Sequence, residues 1–125
     1  LKYLILRNFD YTDNHEDINV EFADALCQLE NVKLHGDLPL KIKTLERLIQ
    51  NILTRPIKMK CLLIMQRHNF RNLMSPGELL TMMGKMELLQ LKGSFTQEQL
   101  QAARILPDVK IFGNVILRKG TDAIF

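Results

Sequence analysis

One spacing of large apolar residues returns five times along the chain: an apolar residue, a second three positions later, and a third two positions after that. The five copies are Leu1-x-x-Leu4-x-Leu6, Leu29-x-x-Val32-x-Leu34, Met59-x-x-Leu62-x-Ile64, Met86-x-x-Leu89-x-Leu91 and Leu106-x-x-Val109-x-Ile111. Their first positions are 28, 30, 27 and 20 residues apart, which leaves room for one helix in each interval. A period of this size is typical of a solenoid, in which each unit buries its apolar face only against its neighbours.

The residues between the copies predict an alternation of short strands and helices. The predicted strands cover 3–7, 32–35, 59–65, 88–91 and 109–112, and the predicted helices cover 18–28, 42–53, 76–83 and 97–105. Residues 115–117 either extend the last strand or form an additional edge strand.

Three local signals mark the ends of the helices. Ser75 with Glu78, and Thr96 with Gln99, form capping-box patterns at two helix starts. Gly84 predicts a C-terminal cap for the helix that begins at Pro76.

These elements predict an α/β fold with parallel strands. A conventional parallel sheet is covered on both faces, and its strands need no fixed apolar spacing. The repeated spacing therefore favours a solenoid, with short parallel strands on a concave face and helices on a convex face. The chain begins without Met and inside the first strand pattern, so we expect residues 1–125 to be a fragment of a longer solenoid with about four to five irregular repeats.

This pattern resembles the leucine-rich repeat superfamily, in its long-repeat, ribonuclease-inhibitor-like form. The family places Asn or Cys three positions after each copy, where this chain has Phe9, Asp37, Arg67, Ser94 and Asn114. Asn114 matches, Asp37 and Ser94 are polar substitutes, and Phe9 and Arg67 predict irregular stacking in the first and third units. The segment 89–100 also resembles the irregular repeats of F-box and related ubiquitin-ligase adaptors. That resemblance implies a substrate-recognition role within such an adaptor, although these residues contain no F-box.

In this register, the side chains that alternate with the buried ones form the concave face. We predict that this face contacts a protein partner of unknown identity through an apolar patch with a basic rim. The predicted contact residues are Tyr3, Ile5, Arg7, Lys33, His35, Leu63, Met65, Leu88, Lys92, Lys110 and Phe112. A second possibility is that these apolar residues pack on another segment of the parent protein and serve a purely structural role.

The charge distribution supports a third possibility. The net charge is only +3, but residues 41–71 contain eight basic side chains and one acidic side chain. Such a segment could bind the phosphate backbone of RNA. It contains a single aromatic residue, Phe70, whereas single-stranded nucleic acids are usually held on several stacked aromatic rings.

The remaining chemistry points away from catalysis. The histidines and the two cysteines lack metal-ligand spacing, and no nucleophile, phosphate-binding or dinucleotide motif is present. We therefore expect no catalytic residues, no metal and no cofactor. Cys27 and Cys61 lie in apolar segments and predict two buried thiols, which favours an intracellular protein. The apolar runs are too short for a membrane span, and we expect no membrane partner.

Overall fold

A computed structural model describes residues 3–6, 16–35 and 41–120, and shows an α/β fold. Its strands are β1 (Tyr3–Leu6), β2 (Asn31–Leu34), β3 (Cys61–Asn69), β4 (Leu88–Ser94), β5 (Val109–Phe112) and β6 (Val115–Lys119). Its helices are α1 (Glu16–Leu26), α2 (Ile42–Thr54), α3 (Pro76–Lys85) and α4 (Gln97–Ala103). The predicted alternation of strands and helices is confirmed.

The strands form one open, six-stranded sheet in the order β1-β2-β3-β4-β6-β5. The first four strands are parallel and lie side by side in chain order. Their register pairs equivalent positions of the repeated spacing, so that Val32 lies beside Leu62, and Leu62 beside Leu89. The repeated spacing in the sequence therefore corresponds to the pairing of residues between neighbouring strands.

All four helices of the described residues pack on the same side of this sheet. The main core combines apolar residues from every helix with the inward strand positions Val32, Leu34, Leu62, Ile64, Leu89 and Leu91, all of which are fully buried. Met59 and Met86 belong to this core, and Leu29, Leu106, Val109 and Ile111 pack against it. The predicted inward positions are therefore confirmed in the last four copies. The side chains of the first copy lie outside the described residues.

The last copy does not continue the parallel stack as predicted. β6 pairs antiparallel with β4 and occupies the place next to it, so β5 pairs only with β6 among the described strands. The cause is the two-residue connection Gly113-Asn114, in which Gly113 has a φ of 55°. A Gly-Asn connection with positive φ favours a tight hairpin. The chain reverses there and returns along β4.

The third unit is irregular, as Arg67 predicts. The register between β3 and β4 shifts between Ile64 and Arg67, and β3 then continues to Asn69. Beyond this bulge, Gly93 pairs with His68. The backbone approach is so close that a Cβ on Gly93 would lie 1.7 Å from the carbonyl oxygen of His68, and Gly93 has a φ of 151°. Only glycine fits this position without a backbone shift.

The capping boxes are confirmed, but the predicted C-cap is wrong. The side chains of Ser75 and Thr96 accept hydrogen bonds from the third residue of α3 and α4, and Glu78 and Gln99 bond back to the cap residues. α3 continues through Gly84 to Lys85. Met86 is the C-cap residue of α3. Lys85, in the last turn of α3, donates from Nζ to the carbonyl oxygens of Ile52 and Leu53, at 2.7 and 3.0 Å, and so satisfies backbone carbonyls at the end of the neighbouring helix α2.

Gln99 also joins two units of the fold. Its side chain is buried, and its Nε2 donates to the carbonyl oxygens of Phe70 and Met74 at 2.9 and 2.8 Å. Its Oε1 accepts from the backbone N–H of Thr96 at 2.7 Å. The Gln99 side chain therefore caps the start of α4 and also provides hydrogen-bond partners for two backbone carbonyls in the loop before α3.

We predict that Gly93→Ala lowers the free energy of unfolding by about 3 kcal/mol, because the added methyl group collides with the His68 carbonyl. Urea unfolding measures this loss. The control is Gly84→Ala, where a Cβ meets nothing within 4 Å and should raise stability by about 0.5–1 kcal/mol. Equal effects of the two substitutions would contradict the β3–β4 register.

We predict that Gln99→Leu lowers the free energy of unfolding by about 2–4 kcal/mol, because it leaves two carbonyls and one N–H without their partner. Gln101→Leu, at an exposed position of the same helix, should change stability by less than about 0.5 kcal/mol. If chemical denaturation shows the same loss for both variants, Gln99 does not join the units.

Candidate functional site

The side of the sheet opposite the helices is the candidate site, and we call it the strand face. Strand side chains alternate between the two sides, so the residues between the inward positions lie on this face. A second, smaller apolar cluster of Cys61, Leu63 and Leu88 forms here, with Met65 and Leu117 packed against it. Among the described residues, this cluster contains strand side chains only, and the main core lies on the other side.

The sheet register brings most of the predicted contact residues together. One row across the sheet runs through Ile5, Lys33, Leu63, Gln90, Leu117 and Lys110. The next row contains Arg67, Lys92, Val115 and Phe112, and the row on the other side contains Leu88 opposite Lys119. Alternation places Met65 within β3 and His35, directly after β2, on the same face.

Two of the predicted contact residues lie beyond what the structure describes. Arg7 is outside the described residues. Tyr3 is paired with Asn31 in the backbone of β1, but its side chain is not described.

The apolar part of the strand face is more closed than we predicted. Leu63 and Leu88 are only 8% and 6% exposed, whereas Ile5 and Phe112, near the two ends of the sheet, are 52% and 58% exposed. Neighbouring strands lie about 4.8 Å apart, so large side chains on adjacent strands cover one another. The centre of the face is therefore a packed apolar floor, and the exposed apolar groups are at its ends.

One polar contact on this floor joins two neighbouring strands. Gln90 donates from Nε2 to the Sδ atom of Met65 at 3.0 Å, which links β4 to β3. Burial raises the pKa of the Cys61 thiol, and the neighbouring Glu87 carboxylate raises it further. Cys61 is thus a protonated, packed thiol at neutral pH.

The strand-face residues of β2 to β6 include five cations: Lys33, Arg67, Lys92, Lys110 and Lys119. Lys33 and Lys92 are half-buried, and the other three are exposed. No carboxylate occupies a strand-face position within the described strands. Asp108 directly precedes β5, and Glu30 and Glu87 line a groove at the amino-terminal edge of the central strands.

Sequence reasoning missed the contribution of β6 to this face. Val115, Leu117 and Lys119 enter it because β6 lies beside β4. The available signals were the Gly113-Asn114 pair, which favours a hairpin, and the alternation that follows it. Arg67 was missed as a contact residue because the predicted strand ended at residue 65, whereas β3 continues to Asn69 and its register places Arg67 opposite Lys92.

The basic segment 41–71 does not form one surface. Lys41 and Lys43 lie at the start of α2, and Arg47 forms an ion pair with Asp24 of α1 at 3.1 Å. Lys58 and Lys60 line the amino-terminal groove, which has a volume of about 560 Å³, together with Glu30 and Glu87. These cations are therefore spread over the helix layer and the amino-terminal edge, with Arg67 on the strand face.

The contact between α1 and α2 uses two cations of the segment 41–71, Arg47 and Arg55. Asp24 accepts from Asn51 Nδ2 at 2.5 Å and from Arg47 Nε at 3.1 Å, and Arg55 lies 3.9 Å away. The hydrogen bond from Asn51 and that from Arg47 lower the pKa of Asp24. Two of the eight cations thus pair with the partly exposed Asp24 carboxylate.

The remaining titratable groups are packed in the fold. Cys27 and Cys61 are both buried and free, as predicted, and burial raises the pKa of Cys27 to about 11. Burial lowers the pKa of His68, whose Nε2 lies 3.2 Å from Oε1 of Gln66. Within the described ranges, no three His, Cys, Asp or Glu residues are grouped in a way that could hold a metal ion.

No helix in the described part of the chain is both long enough and apolar enough to span a membrane. In comparisons with known proteins, the chain matches no family model, no curated protein and no solved structure. The candidate site therefore depends on the geometry alone.

We predict that both thiols react slowly with iodoacetamide at pH 8 in the folded protein. For Cys27, the rise in pKa from 9.0 to about 11 lowers the reactive thiolate fraction about a hundredfold. Alkylation followed by mass spectrometry measures each rate, with the urea-unfolded protein as the control. Rapid labelling of Cys61 in the folded state would show that the apolar floor is open rather than packed.

Proposed function

We propose that this chain is a leucine-rich-repeat domain of the ribonuclease-inhibitor-like type that binds a protein partner through its strand face. The observation that carries the proposal is the one-sided sheet. Four parallel strands follow one another in chain order, and the described helices cover only one of their two sides. In such a solenoid, the strand face is the concave surface that is available to a partner.

The repeated unit supports this architecture. Each of the last four copies places its three apolar positions in the main core or against it, and the parallel strands of three copies are in matching register. A stack of this kind presents an extended surface instead of a closed pocket. This shape suits the recognition of a macromolecule better than that of a small metabolite.

The chemistry of the face favours binding over catalysis. Its described residues combine an aliphatic floor with cations. Its one thiol, Cys61, has a raised pKa and is packed, which is the opposite of an activated nucleophile. The two free, buried thiols also agree with an intracellular location, which we keep as part of the proposal.

A role in a ubiquitin-ligase adaptor depends on the resemblance of residues 89–100 alone. In the fold, this segment serves packing and capping. Leu89 and Leu91 are in the core, Phe95 stacks on Phe70 with ring centres 5.1 Å apart, and Gln99 completes the cap of α4. The resemblance therefore supports the proposed repeat architecture and assigns no ligase-docking residue within this segment.

RNA binding through 41–71 is the weaker alternative. The cations of that segment are dispersed, and Arg47 and Arg55 are near Asp24. Phe70, the aromatic residue of the segment, is fully buried and cannot stack on a base.

Site-specific photo-crosslinking in a native extract tests the proposal. A photoreactive phenylalanine analogue replaces Ile5 or Phe112 on the strand face, and Ile42 or Ile105 on the helix side as controls. The four sites are similar because all are exposed apolar residues, at 52%, 58%, 52% and 73%. We expect the two strand-face probes to capture the same protein and the two control probes to miss it.

A double substitution, Ile5→Asp with Phe112→Asp, should lower recovery of that protein about tenfold. Its free energy of unfolding should change by less than about 1 kcal/mol, because both side chains are more than half exposed. Equal capture from all four sites would contradict the proposal. Cross-links formed only within the parent polypeptide would favour the structural alternative.

A further inference from the structure

The strand face carries one cation on each strand from β2 to β6. These are Lys33, Arg67, Lys92, Lys119 and Lys110, in the order of their strands in the sheet. The five strands are separated by four intervals of about 4.8 Å, so the cations extend over about 19 Å across the sheet. An extended polypeptide advances about 3.3 Å per residue and would cross this distance in about six residues.

The arrangement leaves positive charge without a nearby carboxylate on the same strands. Arg67 and Lys92 lie directly opposite each other in the register of β3 and β4. Like charges at paired positions repel and destabilise a sheet. The described strand-face positions within the strands hold no Asp or Glu, and the nearest carboxylates along the chain lie beyond the strand ends, at Glu30, Glu87 and Asp108. A bound anionic group would relieve this repulsion.

The centre of the face identifies which kind of anion fits. The cations surround an aliphatic and thioether floor formed by Leu63, Leu88 and Met65, with Leu117 beside them. Nucleic acid bases need aromatic platforms, and Phe112 is the one phenyl ring among the described strand-face side chains. Apolar side chains of a polypeptide match an aliphatic floor.

We propose that the partner presents an extended acidic segment, about six residues long, in which carboxylates and apolar side chains occupy every second position and so face the sheet together. The segment crosses the strands of the sheet, its carboxylates meet the cations, and its apolar residues lie on the central floor. This inference depends on the proposed function, since it names the chemistry of the partner that the strand face binds.

The test uses a fluorescein-labelled peptide that repeats the unit Glu-Ser-Leu-Ser, flanked by Gly, as the probe, because this spacing places Glu and Leu on one face of an extended chain. A peptide with Lys in place of Glu and a short oligouridylate are the comparison probes, and fluorescence anisotropy measures each affinity. We expect the acidic peptide to bind most tightly, and its affinity to fall about fivefold when salt is raised from 50 to 200 mM, because exposed charges are screened.

Charge-reversal variants locate the binding site. Lys33→Glu with Lys92→Glu should weaken the acidic peptide about tenfold or more, because each replacement turns an attraction into a repulsion. Lys58→Glu with Lys60→Glu makes the same charge change at exposed positions of the amino-terminal groove and should leave affinity within about twofold. The pair Lys33→Gln with Lys92→Gln serves if charge reversal impairs folding, and should weaken binding about fivefold.

Three outcomes would overturn the inference: tighter binding of oligouridylate than of the acidic peptide, equal weakening by the groove control, or no binding of the acidic peptide. If strand-face cross-links persist in any of these cases, the proposed function stands and only the acidic chemistry is wrong. If the strand-face probes capture no partner protein either, both the proposed function and the acidic chemistry of the partner are wrong.

Discussion

The fold depends on burying alternate strand side chains under a single layer of helices. Val32, Leu62 and Leu89 lie side by side in the register and are fully buried, and every helix contributes to the same core. Because the described helices lie on one side of the sheet only, the other strand positions form their own surface. The same constraint therefore creates the core and the strand face. A sheet covered on both sides would have no such division.

Side chains from later units satisfy backbone groups of earlier ones. Lys85 bonds to the carbonyls at the end of α2, and Arg118 of β6 bonds to the carbonyls of Met83 and Met86 at the end of α3. Gln99 does the same for the loop before α3. Helix ends leave carbonyls without partners, and these bonds meet that need across unit boundaries. Two of the cations in this basic chain, Lys85 and Arg118, are therefore structural.

The hairpin of β5 and β6 shapes the proposed binding surface as much as the repeats do. By lying next to β4, β6 places Leu117 beside the central floor and Lys119 on its border. It also moves Phe112 and Lys110 one strand outward, so that exposed apolar residues stand near both ends of the face. A regular fifth parallel unit would instead have set Phe112 beside β4. The positions of Lys119 and Lys110 in the charge pattern that we assign to an acidic partner follow from this displacement.

Local sequence determined the elements, the inward positions and the two capping boxes, because apolar period and cap chemistry act within a few residues. It also determined most of the strand face, since alternation along a strand follows directly from the inward positions. The tertiary structure decided where β6 lies, how β3 bulges after Ile64, and how far Leu63 and Leu88 are covered. It also dispersed the basic segment, because Asp24 lies near Arg47 and Arg55 only after α1 packs against α2. These features depend on pairings between distant segments. The local Gly113-Asn114 signal favours a hairpin but does not place that hairpin beside β4.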